Sequence, residues 1–154
     1  LNKMAHNGLI DSGNSLLGLA DARLDWSHPD DPACAILAPL FDHLNINALV
    51  FARPAEPYWT IINYLARTSV GPITPSDCET RTILQDLPVA DNLTPDALIP
   101  ILRHRKSTIV SNHGHVTYGT VILEQPPVSF SSVCYKINVF RQCKHFTFYQ
   151  RCRL

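Results

Sequence analysis

The chain has 154 residues with 13 basic and 13 acidic side chains, 45% hydrophobic and 17% charged residues, which are values of a globular protein. A chain of this length suits one domain whose core hides about two-thirds of the surface that the unfolded chain would expose. No apolar run approaches the roughly eighteen residues of a membrane span, so the expectation is a soluble protein.

No charged and then apolar leader opens the sequence; Leu1-Asn2-Lys3 reads as the middle of a helix, as in a fragment of a longer chain. Five cysteines, Cys34, Cys78, Cys134, Cys143 and Cys152, form no Cys-x-x-Cys pair, so neither a disulfide framework nor a zinc knuckle is suggested. A reducing, cytoplasmic setting follows as the simpler reading. The formal net charge of zero hides an asymmetry. Residues 136 to 154 hold Lys136, Arg141, Lys144, Arg151 and Arg153 without an acid, which leaves 8 basic side chains (13 minus 5) against 13 acidic ones before them. Such a tail suits an anionic partner or a plain solvated end.

Apolar Leu1, Met4, Ala5, Leu9 and Ile10, with Gly8 near the end, have the spacing of the last turns of an amphipathic helix. The corner Asp11-Ser12-Gly13-Asn14-Ser15 follows. Its residue types favour turns that present successive backbone N–H groups, which suit a phosphate or a carboxylate as well as an ordinary turn. Residues 16 to 26 read as a β-hairpin turning near Asp21. His28-Pro29-Asp30-Asp31-Pro32 breaks the chain, with Asp31 as N-cap and Pro32 in the first turn of a helix. That helix is predicted over 32 to 44 and buries Ile36, Leu37, Leu40 and Phe41. The apolar run 46 to 52 predicts a central strand covered on both faces, and 56 to 67 a helix with Trp59, Ile61, Ile62 and Leu65 inward.

Gly71, Pro72 and Pro75 make a loop of residues 68 to 86, in which Ser76 or Asp77 caps a short helix through Leu84. Thr74, Ser76 and Asp77 are candidates for lining a pocket as well as for capping. A short strand is expected at Leu87-Pro88-Val89. Thr94-Pro95-Asp96 opens a helix that runs to His104 across Pro100, a kink site. From Arg103 to Gly119 a cationic helix end, a β-branched run, a His113-Gly114-His115 corner and a second β-branched run read as helix, strand, tight turn, strand. Gly114 lets the chain bend there, and the turn sets His113 at a sheet edge. His115 shares a strand face with His113 if the chain stays extended; His28 and His43 are more distant partners. A helix beginning at Thr120 is stopped by Pro126-Pro127 and restarts over 129 to 135. Residues 136 to 154 alternate aromatic and basic groups, a pattern that can stack on nucleic acid, although the preferred reading includes no nucleic-acid partner.

Two of these stretches, "GLIDSGNSLLGLADARLDWS" at 8 to 27 and "LRHRKSTIVSNHGHVTYGT" at 102 to 120, resemble the class II aldolase and adducin family of the fuculose-phosphate aldolase type. The resemblance spans about residues 4 to 122 and implies an α/β fold: a central, largely antiparallel sheet with helices on both faces. It places such a domain over 1 to 135, ahead of a basic aromatic tail over 136 to 154. It implies that Gly13, Asn14 and Ser15 stand at a corner that helps to bind a substrate phosphate, Ser15 coming one residue earlier than in the pattern. It also sets His113 on the position of a zinc-binding histidine, since intact relatives carry Zn2+.

The strand that ends in His-x-His in those relatives aligns here with Phe51 and Arg53. A phenyl ring has no donor atom and a guanidinium no lone pair, so neither can replace a ligand, and a catalytic zinc needs about three from the protein. The relatives' general acid/base falls near Pro32, with Asp30 and Asp31 out of register, so no catalytic residue is assigned. His113 and His115 are the candidate metal ligands. Arg53 either binds a carboxylate or phosphate where the metal would be or pairs with Glu56 or another acid. The expected protein is a non-catalytic binding or assembly module, as in adducin, for a small anionic or phosphorylated ligand. It would be a cytoplasmic homo-oligomer without membrane contact. The alternative is a metal-dependent aldolase-type lyase acting on a phosphorylated sugar or related carbonyl compound through a rebuilt site.

Overall fold

The β-branched and aliphatic run near residue 50 becomes the middle of a sheet, because only there can both faces of a strand without polar side chains be hidden. The computed structural model describes residues 5, 6, 8 to 74 and 85 to 119. In it strands β1 (Leu16–Ala20), β2 (Leu24–Trp26), β3 (Ala48–Ala52), β4 (Val89–Ala90), β5 (Ser107–Val110) and β6 (Gly114–Gly119) form one sheet in the order β2-β1-β3-β6-β5-β4. The β4–β5 pair is parallel and every other pair antiparallel. All five residues of β3 are buried.

Alternation along β3 divides the core in two. Leu49 and Phe51 face one side, packed with Leu16, Val116 and Val110 against helices α1 (Ala33–Leu37), α2 (Pro39–Leu44) and α4 (Pro95–Leu102). Val50 and Ala52 face the other, with Ile109, Leu9, Ile10 and the Tyr58 and Ile62 side chains of α3 (Tyr58–Thr68). A largely antiparallel sheet with helices on both faces is thus observed. The β1–β2 hairpin turns over residues 21 to 23 and is sealed to the first core by Trp26. The Trp26 ring lies across Gly18, where a β-carbon would come within 2.6 Å of it, and meets Phe41 edge to face at 5.8 Å between centroids.

Several expected boundaries are corrected. The single helix over 32 to 44 is two helices joined at Ala38, because Pro39 has no N–H to continue the ladder: the Ala38 N–H reaches Cys34 O, and the Phe41 N–H turns to Ala38 O. Asp31 does cap this element, through Oδ1 to the Ala33 N–H at 2.8 Å. α3 starts at Tyr58 and hides Tyr58, Ile62 and Asn63, leaving Trp59, Ile61 and Leu65 half-buried. The short strand is Val89–Ala90, with Leu87 forming only a bridge to Ile73, and α4 ends at Leu102. Expectations for residues 1 to 4, 75 to 84 and 120 to 154, including the tail, lie outside the described residues. Among the described residues no helix is long and apolar enough to cross a membrane.

Thr94 keeps its expected role, its hydroxyl accepting from the Ala97 N–H at 3.4 Å. Thr94→Ala should cost about 1 kcal/mol. That loss appears as a fall of roughly 2–4 °C in thermal midpoint for a domain of this size.

Candidate functional site

The strand end that the resemblance aligns with a His-x-His pair is held in place mainly by backbone. Arg53, the first residue after β3, donates its N–H to Ser15 Oγ at 3.2 Å and accepts at its carbonyl from the Asp11 N–H at 2.9 Å. Ser15 in turn donates its hydroxyl to the Asp11 carbonyl at 2.6 Å. An Ile10–Pro54 bridge and an Ala55 N–H to Leu9 O bond continue the seam. The Gly13-Asn14-Ser15 corner and Arg53, far apart in sequence, are therefore brought together.

The corner's own donors are occupied. Asp11 Oδ1 accepts from the Gly13 N–H at 3.0 Å and Oδ2 from Asn14 Nδ2 at 2.6 Å, closing a 3-10 turn over Ser12–Asn14. The expected groups for an incoming anion already hold one, the protein's own carboxylate. Asp11 was not singled out from sequence, although an Asp two residues before a Gly in a polar corner is the pattern of a side chain closing its own turn.

Above the seam the Arg53 guanidinium stacks on Trp59, with Cζ 4.5 Å from the ring centroid. The alternative pairing with Glu56 is not formed: Glu56 Oε2 accepts from the Thr60 hydroxyl at 2.9 Å. Among the described residues the ion pairs are Arg23 with Asp25 and Arg105 with Asp86, so the Arg53 cation is held by an aromatic face rather than by an acid.

The 111–114 corner closes the site from the β6 side. Asn112 takes φ 59 and Gly114 φ 144, and the Asn112 N–H is received by Asn63 Oδ1 of α3 at 3.1 Å. At Gly114 a β-carbon would stand 2.5 Å from the Ala52 carbonyl oxygen, so glycine is what lets this turn lie against the end of β3. His113, beside it, is exposed and has Nδ1 at 2.7 Å from the Ser111 carbonyl. A carbonyl accepts only, so Nδ1 is the donor in this contact. His115 does not share this setting: it opposes Ala52 in β3 and Ile109 in β5, is 3% exposed, and burial pushes its imidazole down to about 4. The two histidines are thus divided between a solvent-facing corner and the core.

The remaining candidates are engaged elsewhere. His28 Nδ1 meets Ser27 Oγ at 3.1 Å, and His43 is exposed on α2. Burial, then the nearby Asp31, pushes the Cys34 thiol up, as expected of an inert cysteine. Zinc was the group implied by resemblance. At the three positions that the resemblance aligns with ligands stand a core phenyl ring at Phe51, a guanidinium on Trp59 at Arg53 and an exposed imidazole at His113, a set that does not supply a three-ligand zinc site. Among the described residues no three His, Cys, Asp or Glu side chains come together in a way that could hold a metal ion.

No sequence family model matches the chain, and no curated protein sequence matches it. Solved structures do match. L-fuculose-1-phosphate aldolase from Thermus thermophilus superposes with a TM-score of 0.71 at 15% identity, over 97% of this chain and 89% of that one. A second L-fuculose 1-phosphate aldolase gives 0.60 at 14% identity, over 94% and 82%. YgbL from Klebsiella pneumoniae gives 0.62 at 17%, over 90% and 82%. The chain has the class II aldolase-like fold of these neighbours, and at such identities the likeness speaks for the fold.

Proposed function

We propose that the chain is a non-catalytic binding or assembly module built on the class II aldolase fold, holding a small anionic ligand at Arg53. One observation supports this reading above the others: a guanidinium stacked on Trp59 stands at the strand end that the resemblance aligns with a His-x-His pair. A cation there attracts a ligand carboxylate or phosphate directly and disfavours a second cation beside it. In this reading the module is a homo-oligomer, by analogy with the family it resembles, and its cysteine pattern suits the cytoplasm.

Metal content of the purified chain, read by mass spectrometry for the parent and for His113→Ala, tests the reading. The expected result is no zinc near stoichiometry in either protein, even after incubation with excess zinc. About one zinc per chain, lost in His113→Ala, would instead establish a rebuilt site and favour the lyase acting on a phosphorylated sugar.

A further inference from the structure

We infer that the ligand held at Arg53 is a small monocarboxylate rather than a phosphorylated compound, an assignment that rests on the module reading above. Three features of the site lead there. The donors that would cradle a phosphate, the Gly13 N–H and the Asn14 amide, are satisfied by Asp11, whose carboxylate completes the same turn. A phosphate could use them only by displacing that carboxylate or by lying beside it, like charge against like charge. The Asp11 carboxylate in that corner also penalises a dianion more than a monoanion.

Arg53 suits a carboxylate in shape. A guanidinium carries its N–H groups in its own plane as a fork that receives two carboxylate oxygens in parallel, and that of Arg53 has Cζ 4.5 Å from the Trp59 ring centroid. The half-buried Trp59 ring next to that fork supplies apolar surface for the carbon chain of the ligand. The fork is also well anchored, since the Arg53 backbone is bonded on both sides, to Ser15 and to Asp11, independently of its side chain. Arg53 variants should therefore keep the seam.

The whole 154-residue chain, 15N-labelled, is titrated at constant ionic strength with sodium propionate and separately with inorganic phosphate. The signals followed are the Arg53 Nε–H and the Trp59 indole, one of two indoles in the chain, assigned through Trp59→Phe. Propionate should shift both signals saturably and bind at least about tenfold more tightly than phosphate. Arg53→Lys, which keeps the charge and loses the fork, should weaken propionate about tenfold, and Arg53→Ala should abolish the response, with spectral dispersion reporting that each variant is folded. Asp11→Ala, by releasing the two donors, should tighten phosphate several-fold. Phosphate binding the parent as well as propionate does would overturn the ligand class, and an unchanged propionate response in Arg53→Ala would overturn the site. Failure of the titration in a zinc-free protein sinks the carboxylate assignment and leaves the module reading standing, whereas zinc retained through His113 sinks the module reading itself.

Discussion

Gly114→Ala should be among the most damaging single-methyl changes in the described part of the chain, lowering stability by roughly 3 kcal/mol or more. Two costs add at this position. The φ of 144 lies where a residue with a β-carbon is strained, and the new methyl would be placed 2.5 Å from the Ala52 carbonyl oxygen and 3.4 Å from the Phe51 ring. Neither obstacle is the loose end of a flexible side chain. Ala52 belongs to the central strand, fixed by pairing with His115, and the Phe51 ring is part of the core. The relief available is to push the 111–114 corner away from β3, which breaks the Asn112–Asn63 contact to α3. Gly13→Ala is the control: its φ is not left-handed, and the added carbon would meet only Asp11 Oδ1, at an ordinary 3.5 Å. Thermal unfolding of the two variants should show a fall of about 6–12 °C for Gly114→Ala and almost none for Gly13→Ala. Similar small losses in both would mean that the corner is free to move away from the sheet, and the tight junction described here would be wrong.

That junction was legible in part. The Asn112 and Gly114 types announce a turn, the β-branched runs on either side announce strands, and these local signals agree with the pairings found. What local reading left open was the register, on which the fate of each histidine depends. Had the chain stayed extended through residue 113, both imidazoles would have shared a face; the left-handed steps at Asn112 and Gly114 put His113 outside and start β6 with His115 in the core. Arg53 shows the same limit in another form. Glu56, three residues away, was a plausible partner from sequence, but the start of α3 gives its carboxylate to Thr60 and brings Trp59 under the guanidinium. The break at Pro39 was readable and was overridden by the apolar spacing around it, while Asp11 escaped attention because its role is to satisfy its own turn.

Acid should weaken the fold through His115, and the size of the effect follows from its burial. The imidazole lies between Ala52 and Ile109 on the face covered by α3, and burial holds it at about 4 against an ordinary value of 6.5. Between those two values the unfolded chain binds a proton at this residue and the folded chain does not. Stability therefore rises with pH across the interval, is complete above about 6.5, and is lost as pH falls toward about 4, where the folded state also accepts the proton and the slope ends. The interval converts to ~3 kcal/mol, a large share of the stability of a domain of this size. Urea unfolding of the parent and of His115→Gln at pH 7.5 and pH 4 isolates the term, because the carboxylates and remaining histidines cancel in the comparison. The parent should lose about 3 kcal/mol more than the variant over that range, even if His115→Gln starts less stable at pH 7.5. Equal losses in the two proteins would show that His115 is protonated in the folded chain near its ordinary value, and the imidazole would then have to reach solvent rather than lie sealed between β3 and β5.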